Sequence, residues 1–468
     1  MEGVSSAAVS ELAGKKVVVV GLGASGVAAA RLCLRLGARV VANDGKSLAD
    51  LSVEARALGA AGATVVAGGH EAARMGDADV IVVSPGVPAL REVAAAAALG
   101  VPVWGEVELA VRSMEWPAPV VAIGGTNGKS TTTSLIGALL EASGRRVFVG
   151  GNLGEPLADH TAERFDAIVL EVSSFQMERV DRFRPHAALL LNVTDDHLDR
   201  YASFDEYAHA KGNAFVKQTA DDWAIVPAGD AVCRREAERG SGRLVTFGPG
   251  GTVEVTVDAV VDVRTGERFV RADMALTGGH NALNVAAAIA SVTPFGVDAV
   301  TVRRVLATFR GLPHRTALVA ELDRVRFYDD SKGTNVGASV TALEGLVEPR
   351  AVLIAGGRDK GGSYGPLVDA LVRKGRAAVL IGEAADAIAR AIGDRVPVRR
   401  ATSMDEAVRV SASLALPGDA VLLSPACSSF DMFRDYKHRG DEFVRAVQAL
   451  HAPVAHATDA NTTEEHAR

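Results

Sequence analysis

The sequence predicts an α/β chain of three domains: a Rossmann-like N-terminal domain, a central P-loop ATPase-type α/β domain and a C-terminal Rossmann-like α/β domain. Three observations predict it. Short β-branched runs alternate with Ala/Leu-rich helical stretches along most of the 468 residues, the pattern of parallel sheets covered by helices. Two strand-to-helix junctions are glycine-rich turns suited to phosphate. Proline-bearing breaks at 113–119 and 311–313 divide the chain into segments near the usual domain size of roughly 150 residues.

Taken in order, the first domain is expected over residues 1–112. Lys15 to Val20 reads as a strand and Ala24 to Leu36 as the helix after it, followed by strand runs at 38–42, 64–66 and 80–83. The central domain, 113–312, opens with a strand at Val120 to Ile123, a glycine loop and a helix from Lys129 to Ala142. Buried strands follow at 167–170 and 187–191, and alternating Val, Thr and Gly over 243–276 predict antiparallel strands inserted or appended there. The third domain, 313–451, has strands at 351–355, 377–381 and 420–423 between helices, and the polar tail 452–468 is expected to be disordered.

Composition narrows the function classes. Hydrophobic residues at 48% and charged residues at 23% are globular values, and a net charge of -7 argues against a general nucleic-acid or anionic-membrane binder. The three cysteines, Cys33, Cys233 and Cys427, have neither disulfide-framework nor zinc spacing. No segment has the apolar length of a membrane span, so a cytoplasmic protein without membrane insertion is expected.

Two motifs point to nucleotides. Gly124, Gly125, Thr126, Asn127, Gly128, Lys129, Ser130 and Thr131 lie between a strand and a helix, where N–H groups and the helix dipole hold phosphates. Lys129 would face the β- and γ-phosphates and Ser130 a Mg²⁺ ion. Upstream, Gly21, Gly23, Ala24, Ser25 and Gly26 turn from a strand into a helix, and Asp44 ends the next strand, a dinucleotide fingerprint. Two further strand ends carry polar residues: Glu171 in EVSSFQ, a candidate Mg²⁺ ligand, and the acidic run NVTDDHLDRY with His197, a candidate metal ligand. A ligase, an NAD-dependent dehydrogenase with a separate ATP loop and a P-loop switch all remain open on these residues alone.

Taken in order, GTNGKST, EVSSFQ, NVTDDHLDRY, His280-Asn281-Ala282-Leu283-Asn284, Gly311-Leu312-Pro313-His314-Arg315 and Asp329-Asp330-Ser331-Lys332-Gly333-Thr334-Asn335 resemble the motifs of the Mur ligases across nearly the whole chain. EVSSFQ together with DDSKGTN is similar to the branch of that family that adds D-glutamate. The resemblance implies ATP-driven joining of D-glutamate to UDP-N-acetylmuramoyl-L-alanine by a monomer. It implies that Gly23, Ala24, Ser25, Asp44, Ser84, Pro85 and Gly86 hold the UDP part, with Asn152 also on that substrate. It implies two Mg²⁺ sites from Ser130, Glu171, His197 and a carbamylated Lys211, chosen over Lys217 for its Tyr207-Ala208-His209-Ala210-Lys211 flank. Asn281 and Asn284 would face the ATP base, and Arg315 and Asp330 its ribose and phosphate. Lys332, Thr334, Lys360, Ser429, Phe430 and Tyr436 would surround the amino acid, with Phe430 and Tyr436 departing from the family's usual Leu and Phe.

Overall fold

The computed structural model describes residues 11–196, 200–359 and 363–450. Its strands form three sheets, and contacts divide the chain into two compact units, Met1–Leu312 and Pro313–Arg468.

The first sheet contains β1 (Lys16–Val20), β2 (Arg39–Asp44), β3 (Thr64–Ala67), β4 (Val80–Val83) and β5 (Val103–Trp104) in the order β3-β2-β1-β4-β5, all parallel. β1 lies between strands reached in opposite directions, so the turn after it opens at the sheet's switch point. Close packing is what demands glycine there: a Cβ at Gly26 would stand 1.8 Å from the Gly21 carbonyl oxygen.

The second sheet runs β14-β13-β12-β11-β10-β9-β6-β8-β7. β6 (Val120–Gly124) sits between β8 (Ala167–Glu171) and β9 (Ala187–Leu190), and β7 (Val147–Gly151) forms one edge. β10 (Trp223–Pro227), β11 (Arg243–Phe247), β12 (Val253–Val255), β13 (Ala259–Asp262) and β14 (Glu267–Val270) extend the other. The expectation of antiparallel strands from 243 onward needs correction for its first members. β11 pairs parallel to β10 through the Ala231–Ala237 helix, β12 pairs parallel to β11, and only β12-β13-β14 are antiparallel. The stretch prolongs the main sheet instead of forming a separate layer.

One apolar core joins these two sheets: Val17, Leu32, Trp104 and Val107 belong to the same buried cluster as Ala122, Leu170 and Phe183. The 113–119 segment therefore connects two halves of a shared core, which is the physical reason for one compact unit there.

The second unit holds β15 (Ala317–Leu322), β16 (Val325–Asp329), β17 (Ala351–Gly356), β18 (Gly375–Ile381), β19 (Val398–Arg400) and β20 (Ala420–Leu423), ordered β15-β16-β20-β17-β18-β19. Only β15 is antiparallel to its neighbour, so β16, β20 and β17 end at one edge. Its core lies on both faces, one cluster around Leu343, Leu367 and Leu380 and another around Phe327, Val379 and Phe443. Among the described residues no helix is long and apolar enough to cross a membrane, and the three cysteines are buried and form no disulfide.

Candidate active site

The glycine loop after β6 leads into the Lys129–Ala142 helix, whose first position is preceded by Gly128 with φ 85°. Glycine is required twice over at that point. The left-handed backbone disfavours a side chain, and a Cβ there would stand 2.5 Å from Asn284 Oδ1. Asn284 in turn donates to Asn281 Oδ1 at 3.2 Å, and Asn281 Nδ2 donates to the Thr277 carbonyl at 2.7 Å, so Asn284 stands against the phosphate loop and Asn281 is held behind it.

Lys129 folds back over that loop, donating from Nζ to the carbonyls of Gly125 (2.9 Å) and Thr126 (2.8 Å). Ser130 Oγ hydrogen-bonds Glu171 Oε2, while Glu171 Oε1 accepts from Asn152 Nδ2 at 2.7 Å. The Asn152 N–H also donates to the Glu171 carbonyl at 2.8 Å, tying the end of β7 to the end of β8. Thr131 is buried in the first turn of the loop's helix.

Lys211 enters the same place from the Phe204–Gly212 helix. It is buried, its Nζ donates to the Gly125 carbonyl at 2.9 Å and stands 4.4 Å from the centre of the Tyr207 ring. Burial first, and the charge of Lys129 second, hold its amine well below the ordinary lysine range. Lys217 is exposed.

Ser130 and Glu171 offer a hydroxyl and a carboxylate, hard oxygen donors of the kind Mg²⁺ takes alongside phosphate oxygens and water. Among the described residues no group of three or more His, Cys, Asp and Glu side chains is placed to hold a metal. His197 lies outside the described residues.

The motif reading missed two residues that shape the loop. Asn192 accepts the Asn127 N–H at 2.9 Å and donates to the Asn127 carbonyl at 3.0 Å, and Tyr207 OH lies 3.3 Å from Thr126 Oγ1. Asn192 was visible as the first residue of the NVTDDHLDRY run. Tyr207 was visible only as a flank of Lys211.

At the first sheet, Asp44 is engaged by the backbone: Oδ2 accepts the Leu22 N–H at 2.7 Å and Oδ1 the Lys46 N–H at 2.9 Å. It braces the glycine turn and the loop after β2 together. Ser84 Oγ donates to the Gly21 carbonyl at 2.7 Å, which brings the Ser84-Pro85-Gly86 loop against the same turn. Gly23 precedes the Ala24–Arg35 helix with no side-chain cap, so the N–H groups of the first turn, Ala24 and Ser25 included, are presented by backbone alone. Arg200 reaches this loop from the NVTDDHLDRY run, donating to the Val87 carbonyl at 2.8 Å.

In the second unit, loops from β16, β20 and β17 meet at one edge. Asp330 is buried, accepting from Ser424 Oγ (2.6 Å) and from the Thr316 N–H (3.1 Å), and burial pushes its carboxyl up to about 7. Arg315 lies close enough for its charge to oppose that rise. Lys332 Nζ stands 4.0 Å from the Tyr436 ring centre, and the Thr334 N–H donates to the Lys332 carbonyl at 2.8 Å. Ser429 is buried, whereas Phe430, expected in the pocket wall, is 66% exposed. Lys360 lies outside the described residues.

Arg439, which no motif singled out, is wholly buried behind these loops. Its guanidinium donates to Ser331 Oγ (3.0 Å), the Ser331 carbonyl (2.7 Å) and the Cys427 carbonyl (3.1 Å), and Ser331 Oγ donates to the Tyr436 carbonyl at 2.8 Å. One buried fork thus fixes the backbone beside Lys332, Ser429 and Tyr436.

Sequence models of three families cover the chain in order: a MurD-like Mur ligase N-terminal domain over residues 15–105, the Mur ligase middle domain over 123–292, and the Mur ligase glutamate ligase domain over 314–427. A UDP-N-acetylmuramoylalanine–D-glutamate ligase of Syntrophotalea carbinolica is 46% identical, matching 94% of this chain and 99% of its own length. The chain belongs to the Mur ligase family. A ligase of the same description from Anaeromyxobacter dehalogenans is also 46% identical, over 94% of this chain and 98% of its own length. Solved Mur ligase structures share the fold at low identity. MurF ligase from Thermotoga maritima in complex with ADP gives a TM-score of 0.60 at 18% identity, covering 94% of this chain and 97% of that one. UDP-N-acetylmuramate-alanine ligase from the same organism gives 0.59 at 20%, covering 93% and 100%. Within this Mur ligase chain the phosphate loop, Glu171, Asn152, Lys211, Asn281 and Asn284 fall in the middle-domain match, and Asp330, Lys332, Thr334 and Arg315 in the glutamate ligase match.

Proposed function

We propose that this Mur ligase joins D-glutamate to UDP-N-acetylmuramoyl-L-alanine with conversion of ATP to ADP and phosphate, acting as a monomer in the cytoplasm on small-molecule substrates. The observation that carries the reading is the meeting of Ser130, Glu171, Asn152 and Lys211 around one glycine loop in a chain 46% identical to ligases of that description.

An amide does not form spontaneously from a carboxylate in water, so the acceptor's alanine carboxylate is activated first. It attacks the γ-phosphorus of ATP, ADP leaves, and an acyl phosphate forms. The amine of D-glutamate then attacks the acyl carbon, phosphate departs, and the amine's proton passes to solvent or a nearby base. Ser130 and Glu171, with His197 and Lys211 as its carbamate, are the residues to hold two Mg²⁺ ions, which supply charge neutralisation at the phosphoryl oxygens. Lys129, released from the Gly125 and Thr126 carbonyls, turns its ammonium to the phosphates. Asn152 orients Glu171 and stands where the acceptor's carboxylate end arrives. Lys332, Thr334, Lys360, Ser429 and Tyr436 receive the glutamate, whose two carboxylates need cationic and hydroxyl partners.

ADP release assayed with UDP-N-acetylmuramoyl-L-alanine and a panel of D- and L-amino acids tests this. Release that requires both acceptor and D-glutamate is expected. Equal rates with L-glutamate would overturn the stereochemistry, and acceptor-independent release would overturn the ligase reading.

A further inference from the structure

The carboxyl edge of the first sheet carries a hydrogen-bond arrangement outside every motif described above. Asn43, one residue before Asp44 in β2, is wholly buried, and its Nδ2 donates to the carbonyls of Val66 (3.0 Å) and Gly69 (2.7 Å). Of the two ends of that amide only the NH₂ can donate, and here it serves two carbonyl oxygens. The side-chain oxygen of Asn43 is therefore the atom facing His70 Nδ1 at 2.7 Å. An amide oxygen has no proton to give, so the proton of that bond sits on Nδ1, and in the neutral form of the imidazole the lone pair is on Nε2. The tautomer follows from Asn43 alone.

Nε2 lies beside Gly45, the residue after the strand-end aspartate. A Cβ at Gly45 would stand 3.3 Å from it, so glycine leaves the nitrogen uncovered where a side chain would cap it. The loop is held in register, since the Gly68 N–H donates to the Lys46 carbonyl at 2.7 Å and the Lys46 N–H to Asp44. A fixed hydrogen-bond acceptor thus stands at the sheet edge that also carries the glycine turn.

We propose that His70 reads the nucleobase of the acceptor, its Nε2 accepting the N3–H of uracil, with Asn43 as the positioning residue that fixes the tautomer. This rests on the proposed reading that the first sheet holds a UDP-linked substrate. Uracil presents an N–H at position 3, whereas cytosine presents a bare nitrogen lone pair there. Against a neutral Nε2 the first makes a hydrogen bond and the second sets two lone pairs facing, so at a pH well above the ordinary histidine range, where the imidazole does not take up a proton to donate, the site favours uridine over cytidine nucleotides. Gly45 is part of the same device.

Calorimetric binding of UDP, N3-methyl-UDP and CDP to the full chain at about pH 8.5, roughly two units above the ordinary histidine value, tests it. In the wild-type protein N3-methyl-UDP and CDP are expected to bind about tenfold or more weakly than UDP, the scale of one lost hydrogen bond that leaves its partner unpaired. His70→Leu should bring the three ligands within about threefold of one another, and Gly45→Val should do the same with His70 in place. The N3-methyl comparison needs no variant, so a poorly folding His70→Leu protein leaves the test standing. Equal binding of UDP and N3-methyl-UDP, or undiminished discrimination in a folded His70→Leu protein, overturns the base-reading role while the ligase function stands. Failure of UDP to bind a chain that still binds ATP overturns the placement of the UDP substrate as well.

Discussion

Two lysines meet at one carbonyl, since Lys129 and Lys211 both donate to Gly125 at 2.9 Å. Two ammonium groups in that space repel, and the buried one, Lys211, is held toward its neutral amine. A neutral amine can add CO₂ and lose a proton to give an anionic oxygen ligand, which an ammonium cannot. Lys211→Ala should lower the rate at least about a hundredfold, as the proposed role of its carbamate as a metal ligand requires. A small carboxylate in the buffer should restore part of it, and Lys217→Ala should retain wild-type activity. The outcome that refutes the assignment is an active Lys211→Ala protein beside an inactive Lys217→Ala one. Glu171 and Ser130 were legible in the sequence because strand ends and glycine loops fix where a side chain stands. Asn192 and Arg439 were not, because a buried polar side chain takes its meaning from carbonyls on distant segments that spacing does not reveal. Asp44 shows the same limit from the other side. Its position was legible, but not that the N–H groups of Leu22 and Lys46 occupy both carboxylate oxygens.

At the scale of elements, strands on the core read clearly and their pairing partners less so. β6, β20 and, up to the Glu171 that ends it, β8 are apolar runs buried on both faces, which leaves little freedom for another assignment. β11 alternates in exposure, and alternation alone does not distinguish a parallel neighbour from an antiparallel one. The Glu106–Arg112 helix shows how the first two sheets are joined. Glu106 is buried at its start, its Oε1 accepts the Ala158 N–H at 2.8 Å, and its Oε2 has no hydrogen-bond partner among the described residues. Burial pushes this carboxyl up to about 7 from an ordinary 4.5. Between those values the folded chain holds a proton that the unfolded chain has lost, so stability falls as pH rises through that window and levels off above it. The loss amounts to on the order of 3 kcal/mol. Glu106→Gln should flatten the dependence, with a smaller drop in melting temperature from pH 5 to pH 8 than in wild type. An identical drop in both proteins would show that Glu106 titrates normally.

For the whole molecule, three sheets do not make three independently stable bodies. The core that joins Val17, Leu32 and Trp104 to Ala122, Leu170 and Phe183 commits the first two sheets to unfold together, because separating them exposes the apolar surface of both. The second unit has its own clusters around Leu367 and Phe443. Breaks at 113–119 and 311–313 look alike in sequence, since both are proline-bearing connections, and only the shared core distinguishes them. Calorimetry of the full chain should therefore show two unfolding transitions. ADP with Mg²⁺, whose phosphates are assigned to the loop after β6, should raise the transition of Met1–Leu312, by about 2.7 kcal/mol at a hundredfold excess over Kd. A chain comprising residues 1–312 should reproduce that transition and its ADP response while forming no amide product, because Lys332, Thr334 and Ser429 are absent from it. A separate chain ending at residue 112 should lack a cooperative transition, since Leu32, Trp104 and Val107 would lose their partners in the second sheet. Three resolved transitions, or a stable 1–112 fragment, would mean that the shared core contributes too little to bind the first two sheets into one unit.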